Sequence, residues 1–545
     1  MKKILAMVLL LATLLACAST MVACLTNDDT IEEDPGKTNI SVATYNGGIG
    51  KEWLEAAARR FEEKYANVSF EEGKTGVKIS VSTCENATIL EGQRLSHNVY
   101  FTELFDYNTW VNSGKVADIS DVVTGSLSEF GEEGTIEQKL DAQFVNFLKA
   151  NNGSYYALPF YDGFVGLIYD RDWFAEREYF FAKDGGFTGD ENNLSAGPDG
   201  VSGNWDDGMP ATYDDLQTLI EKIRADKGVP LLYGEGNAMD YWLKIMTGWW
   251  ANYEGKESMI KNWELDGTFD IATSVNGNNV TKGSVTLTAE NVATMYKELQ
   301  KQAGKYYALK LLDDVICADA NNTAGTNYLE AQGFLINTGV YSQMKNRYAM
   351  LLDGVWWENE ADLGNKFNLA AQNDADYMGN PADYKSTRRF AMMPAPRAYG
   401  QTAENYRQTL FSDSESFCFV SSSTTGAKLD VSKRFLQFLH TDSELSAFTA
   451  KTSVPRCFNY SVSDADYATM TYFGKQIVEM KKASDVVYPY SGNEYYTRHS
   501  GDFTIRNWGW KAYVDDLTRN NPFTEISKGM TAKEYFDGLY KEHNK

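Results

Sequence analysis

Side chains suited to metal binding or nucleophilic catalysis are scarce in this 545-residue chain, which holds six cysteines and four histidines. Beyond the first 24 residues only Cys84, Cys317, Cys418 and Cys457 remain. None forms a CxxC pair, and their wide spacing is unlike a zinc site. Four cysteines over so long a chain are not a disulfide framework, so buried thiols are the expected state. His97, His440, His499 and His543 show no HExxH spacing. There is no GxSxG elbow. Gly36-Lys37-Thr38 and Gly73-Lys74-Thr75 lack the upstream glycine of a phosphate loop, with Ile31 and Val68 in its place. Positive charge is short as well: 51 Lys and Arg stand against 75 Asp and Glu, a formal net charge of −24. That balance argues against nucleic-acid binding and against electrostatic adhesion to an anionic membrane. No stretch past the leader approaches the roughly 18 apolar residues of a spanning helix.

What is present is apolar and aromatic: 43% hydrophobic residues, 13% of them Phe, Trp or Tyr by chain fraction. These suffice for large cores, and the length suggests roughly two to four domains. The first residues are a targeting segment. Lys2 and Lys3 precede an apolar run from Ile4 to Ala16 that is too short to cross a bilayer. Leu14-Leu15-Ala16-Cys17 and Met21-Val22-Ala23-Cys24 each place a small residue before a cysteine, as a bacterial lipoprotein signal does. Cys24 is the preferred anchor, because polar residues begin just after it; Cys17 is the alternative. The expected plan is a signal over 1–23 and a tether over 24–38, with the protein exported and lipid-held at the outer face of the cytoplasmic membrane.

Along the remaining chain, strands and helices alternate. Asn39 to Thr44 reads as a buried strand ending in a turn at Tyr45 to Gly50. Trp53, Ala57, Phe61 and Tyr65 recur every four residues, which predicts an amphipathic helix. Val77 to Val81 and Val99 to Thr102 are further strands, so the opening is an α/β lobe with a largely parallel sheet. Ala157 to Tyr169 is an aromatic run broken by Pro159 and Gly163, suited to an interdomain crossing or an edge strand. Residues 183–210 lack periodicity and read as a long loop. Thr212 and Asp215 bracket a cap for a helix carrying Leu216, Leu219, Ile220 and Ile223 on one face. Helices are also expected at Asn291–Gln302, Lys428–His440, Tyr467–Lys482 and Ala532–His543. No repeat of 20 to 50 residues is present.

Several of these segments, in this order, resemble the extracellular solute-binding proteins of ABC importers, in the carbohydrate-binding group that includes maltodextrin-binding protein. They are the lipoprotein start, Ser41-Val42-Ala43-Thr44-Tyr45 with its helix, Tyr156 to Gly163, Ala349 to Glu358, and Phe390-Ala391-Met392-Met393-Pro394. The resemblance implies an α/β protein of two lobes joined by crossing strands, closing on ligand by a hinge. It places crossings near Pro159, Pro394 and Ser421, with residues 39–158 and 388–425 in the first lobe and 159–387 and 426–545 in the second. The chain is longer than smaller members, mainly through 183–210 and Tyr253–Ser284.

A sugar site needs no reactive residue: aromatic rings stack on the apolar face of a pyranose, and carboxylates, amides and Arg chelate its hydroxyls. Trp356 and Trp357 follow a strand-like segment at a strand-to-helix turn, where neighbouring side chains diverge. One is expected in the cleft and one in the core, with Trp356 the preferred cleft residue, where the family places a stacking Trp. Trp53 reads as core. Trp242 reads either as a second platform or as helix core. Turns that the fold aims at the cleft add Tyr45, Asn46, Thr102, Glu103, Asp162, Glu358 and Arg456.

Asp199, Asn204, Asp206 and Asp207 place oxygens around glycines, which suits either a structural Ca²⁺ or an acidic loop with no metal; the spacing is not that of an EF-hand. The resulting expectation is a monomeric, lipid-anchored binding protein that needs no cofactor. It captures an oligosaccharide and delivers it to ABC permease subunits without cleaving a bond. A secreted glycoside hydrolase with two carboxylates and a surface glycan-binding protein without a transporter are the rival readings.

Overall fold

The computed structural model describes residues 33–45, 47–334, 348–373, 377–413, 415–498, 508 and 521–542. The leader, with Cys17 and Cys24, lies outside the described residues, as does Asn46. Two five-stranded sheets organise the chain. We label their strands β1 (Thr38–Tyr45), β2 (Val77–Cys84), β3 (Val99–Thr102), β4 (Leu158–Pro159), β5 (Val165–Asp170), β6 (Val229–Gly234), β7 (Thr323–Thr326), β8 (Tyr348–Gly354), β9 (Phe390–Met392) and β10 (Phe417–Val420).

The first sheet has the order β2-β1-β3-β10-β4. β1 runs parallel to β2 and β3, and β10 is antiparallel to β3 and β4. β1 is buried on both faces although four of its eight residues are polar, with Asn39 and Ser41 bonded to the neighbouring backbone and side chains. The helix Glu52–Lys64 lays Trp53, Leu54, Ala57, Ala58 and Phe61 inward. Trp53 is core as expected, meeting Phe101 and Phe448 edge-on at 5.3 and 4.9 Å. The second sheet has the order β7-β6-β8-β5-β9. Its capping box is the expected one: Thr212 and Asp215 exchange side-chain-to-backbone bonds at the start of helix Tyr213–Ala225.

The crossings are where the two sheets trade strands. The first joins β4 to β5 through 160–164. The second joins β9 to β10 through 393–416. Here the lobe boundaries depart from the resemblance. β9 pairs antiparallel with β5, so the chain is still in the second lobe at 390–392. After β10 it stays in the first lobe, because helix Gly426–Leu439 packs on β1 and helix Asp442–Thr452 packs on Glu52–Lys64. The third passage therefore lies between Ser453 and Thr471, not at Ser421; helix Tyr472–Ala483 packs on β9. The helix expected at Asn291–Gln302 is a short turn, Val292–Met295, continued by a 3₁₀ segment, Tyr296–Lys301. That expected at Tyr467–Lys482 is broken into Asp464–Thr469 and Tyr472–Ala483, since Thr471 caps a new start by accepting from the Gly474 N–H. The extra length of the middle region forms a hairpin, Gly267–Asn276 with Asn279–Leu287. The four cysteines among the described residues are free thiols. Among the same residues no helix is long and apolar enough to cross a membrane.

Candidate functional site

Side chains from both lobes meet where β1, β3 and β8 end. From the first lobe come Tyr45 at the end of β1, Glu103 just after β3, and Tyr161 in the first crossing. From the second come Asp353 in β8, Trp356 after it, Glu360 on helix Trp357–Leu363, Tyr241 and Lys244 on helix Asp240–Glu254, and Tyr328 at the start of helix Tyr328–Phe334. Gly48 of the first lobe closes on Trp356. Its φ of +73° suits glycine, and a Cβ there would lie 3.2 Å from the Trp356 Cβ.

A directional hydrogen-bond chain fixes the second-lobe wall. The Trp356 indole N–H donates to the Tyr241 hydroxyl at 3.0 Å. The Tyr241 and Tyr328 hydroxyls lie 3.2 Å apart, and Tyr328 donates to Glu360. Donation by Tyr328 leaves its oxygen to accept from Tyr241, so the chain runs from Trp356 to Glu360. Gln332 adds a second bond to Glu360 at 2.6 Å. Opposite, Tyr161 donates to Glu103. The Tyr241 ring is tilted against Trp356 at 5.6 Å and sits edge-on to Tyr328 at 5.9 Å.

Burial raises all three carboxyl groups of this cluster. Burial pushes Glu103 up to about 7 against the pull of the Tyr161 hydroxyl and the Lys244 ammonium. Burial also pushes Glu360 up to about 7, against Tyr328 and Gln332, with the charge of Glu103 adding to the rise. That last interaction places the two acids within electrostatic reach across the lobes. Asp353 rises well above the usual carboxylate range through burial and the Glu360 charge. Tyr45 is raised by burial and by Glu103, Glu85 and Glu360. Lys244 pairs with Asp240 at 3.4 Å and hangs over the Trp356 ring at 5.7 Å.

The structure brings Tyr45, Glu103 and Trp356 together and separates the other expected residues from them. Trp357 is core: it is 0% exposed, donates to the Gln332 carbonyl at 3.2 Å and packs edge-on to Phe390 at 4.9 Å. Trp242 is no platform, because it stacks flat on Phe523 at 4.0 Å in the second-lobe core; its neighbour Tyr241 takes the cleft face. Thr102 is fully buried and donates to the Glu85 carbonyl at 3.2 Å. Glu358 points away from the cleft, accepting from Ser453 and Thr471 at 2.8 and 2.9 Å. Asp162 is sealed in the hinge, 2.6 Å from Lys481 and accepting from Ser412 at 3.0 Å.

Arg456 lies under the first lobe with its guanidinium over Phe448, Phe160 and Phe458. Its Nη2 is 3.0 Å from His440 Nε2. His440 Nδ1 faces the Leu436 carbonyl at 2.6 Å, which makes Nδ1 the donor and Nε2 the acceptor of a neutral ring. Burial and the Arg456 charge keep His440 well below its usual range.

Sequence reasoning missed Tyr161, Tyr241, Tyr328, Asp353 and Glu360. For Glu360 a signal existed: it lies four residues after Trp356, on the same helix face, whereas Glu358 at two residues turns away. In the 199–207 loop the carboxylates serve the loop itself. Asp199 accepts from the Val201 N–H at 2.7 Å and from Asn204, Asp207 accepts from the Gly203 N–H at 2.7 Å, and Asp206 accepts from the Asp199 N–H at 3.2 Å. Among the described residues no three His, Cys, Asp or Glu side chains converge as a metal site.

No family model matches the chain, and no curated protein matches it in sequence. Solved structures do match in shape. A chitin oligosaccharide binding protein aligns with a TM-score of 0.50 at 15% identity, over 93% of this chain and 98% of that one. The cyclic alpha-maltosyl-1,6-maltose binding protein from Arthrobacter globiformis gives 0.50 at 12%, over the same shares. The GacH receptor of Streptomyces glaucescens, solved unliganded and with acarbose, gives 0.50 at 14%, again over 93% and 98%. The chain has the two-lobed fold of the solute-binding proteins. The first two of these neighbours are named as oligosaccharide-binding or maltosyl-maltose-binding proteins and the third as a receptor that holds acarbose. The cluster described above lies between the two lobes.

Proposed function

We propose that this chain is an extracellular, lipid-anchored solute-binding protein that holds an oligosaccharide between its lobes and delivers it to an ABC permease. The observation that carries the reading is the interlobe cluster. Tyr45, Tyr161, Tyr241, Tyr328 and Trp356 offer rings to sugar faces, while Glu103, Glu360 and Asp353 offer acceptors to hydroxyls. Contacts from both lobes favour the closed form only when ligand is present, which is the differential that drives hinge closure. Binding suffices for this task, and no bond is broken. Cys24 supplies the anchor in this reading, and the tether after it gives the lobes reach to the permease.

The test is thermal stability of the soluble domain against a panel of oligosaccharides, with the sugars recovered and chromatographed from the same tubes. A ligand at a hundred times its dissociation constant adds about 2.7 kcal/mol. A shift with intact sugar supports the reading. Shortened products would make the chain a hydrolase, for which Glu103 and Glu360 would be the two carboxyl groups. Loss of membrane retention in a Cys24→Ala variant tests the anchor, with release in a Cys17→Ala variant instead reassigning it.

A further inference from the structure

The charge of the cleft says more about the ligand than its rings do. Glu103 of the first lobe acts on Glu360 of the second, Glu360 acts in turn on Asp353, and Glu85 joins Glu103 and Glu360 in acting on the Tyr45 hydroxyl. The cation within their reach is Lys244, and it is matched by Asp240 at 3.4 Å. Among the described residues Glu360 and Asp353 therefore have neutral partners and no cation of their own. Asp353 is the sharpest case. It is 0% exposed; its Oδ1 accepts the Gly354 N–H at 2.7 Å, while Oδ2 has no hydrogen-bond partner. The neighbouring Trp356 indole N–H is close enough to pull on the Asp353 carboxyl, but its hydrogen bond goes to Tyr241 at 3.0 Å. A buried carboxyl oxygen without a partner is costly, and an incoming cation would let Asp353 ionise against it. The aromatic rings around it present electron-rich faces, which attract cations in a water-poor site. The protein's own ammonium, that of Lys244, already sits at such a place, 5.7 Å from the Trp356 centroid and 5.9 Å from that of Tyr241.

We propose that the cleft selects a positively charged sugar, an amino sugar or an oligosaccharide carrying a free amine, over neutral and acidic ones. This deepens the oligosaccharide reading and rests on it. An ammonium supplies both missing elements at once, donors for Asp353 Oδ2 and charge for the Glu103–Glu360 pair. An N-acetylated amine keeps the donor but loses the charge. A uronic acid adds a fourth carboxylate to a space that has none to spare.

The experiment compares four probes by calorimetry on the soluble domain at one salt concentration: glucosamine oligomers, their fully N-acetylated counterparts, neutral gluco-oligosaccharides and galacturonate oligomers of matched length. Hydrogen bonds to charged groups exceed neutral ones by about 1–1.5 kcal/mol. The amine series should therefore bind about tenfold more tightly than the N-acetylated one, with the uronates weakest. Glu360→Gln, which keeps the shape and removes a charge, should compress the amine-to-N-acetyl ratio severalfold. Equal affinity for the amine and N-acetyl series, or tighter binding of neutral sugars or uronates, overturns the charge selection and leaves the oligosaccharide reading standing. Binding by none of the four overturns both. An amine preference that Glu360→Gln, Asp353→Asn and Glu103→Gln all leave unchanged also overturns it, since the charge would then be read elsewhere.

Discussion

Trp356 and Trp357 are adjacent in sequence, yet the structure gives them separate tasks, and the pair provides a double dissociation. Trp357 is 0% exposed, lies edge-on to Phe390 and Phe473 at 4.9 and 5.6 Å, and donates to Gln332. Trp357→Ala leaves a large void between β9 and helix Tyr472–Ala483. Such a truncation costs about 3–5 kcal/mol. At roughly 2–4 °C per kcal/mol for a lobe of this size, the melting temperature should fall by roughly 6–20 °C. Trp356, at 7% exposure, owes part of its cover to Gly48 of the opposite lobe, and that cover is lost whenever the cleft opens. Its truncation should cost less stability and more binding. A Trp at the centre of a binding surface carries about 2 kcal/mol or more, close to a thirtyfold loss of affinity. Differential scanning fluorimetry and calorimetry on both variants, with the tightest sugar of the panel, measure the two effects separately. The reasoning is refuted if Trp357→Ala loses affinity while melting normally. It is equally refuted if Trp356→Ala binds as the parent does.

Other consequences are more compact. Gly48→Ala should weaken ligand binding roughly 5–30-fold, because its Cβ crowds Trp356 in the closed form alone and overpacking costs about 1–2 kcal/mol; calorimetry reads the loss. Glu103 and Glu360 sit near 7 in the folded protein, above their ordinary value, so the native state holds more protons than the unfolded one between about 4.5 and 7. Their contribution is fully present below that window and is lost as pH rises through about 7. The ligand-free parent should thus lose more stability between pH 5 and 8 than the Glu103→Gln, Glu360→Gln double variant. Lys481→Met strands Asp162 in the hinge and should cost about 3–5 kcal/mol, nearer the lower figure because the ammonium keeps some water; adding Asp162→Asn should restore much of the melting temperature. Chelator should leave the melting temperature unchanged, since no three carboxylates converge in the 199–207 loop among the described residues, although Asp206 Oδ1 and Asp207 Oδ1 have no partner.

The sheets were legible because β-branched residues crowd short segments bounded by turns, and the first helix because its apolar residues fall on one face. The lobe boundaries were not. β9 is three residues long and reads the same whichever sheet receives it, so the assignment of 388–425 rests on pairing with β5, a contact more than 200 residues back in sequence. The site was half legible for a related reason. Tyr45, Glu103 and Trp356 follow strand ends, and a strand end is visible in sequence. Asp162, Glu358 and Arg456 also stand in turns or helix starts, but a turn can face a hinge or a core as readily as a cleft. Tyr241 against Trp242 shows the limit: two adjacent aromatics on one helix are about 100° apart, and only the partner, Phe523 for Trp242, decides which is interior.

The first crossing brings core, cleft-side cluster and hinge together in four consecutive residues. Phe160 lies under the Arg456 guanidinium at 5.4 Å. Tyr161 donates into the cleft at Glu103. Asp162 pairs with Lys481 in the hinge, and the Gly163 N–H donates to Ser412 of the second crossing at 3.0 Å. Successive side chains of an extended segment point to opposite sides, so one strand crossing serves ligand, core and hinge by turn. A ligand that competes for Glu103 acts on the Tyr161 hydroxyl, and Tyr161 cannot shift without moving the backbone of Asp162. In the proposed binding reading, a ligand at Glu103 therefore acts one residue away from the buried Asp162–Lys481 pair of the hinge, and Asp162→Asn should change ligand affinity as well as melting temperature, which calorimetry beside fluorimetry would separate.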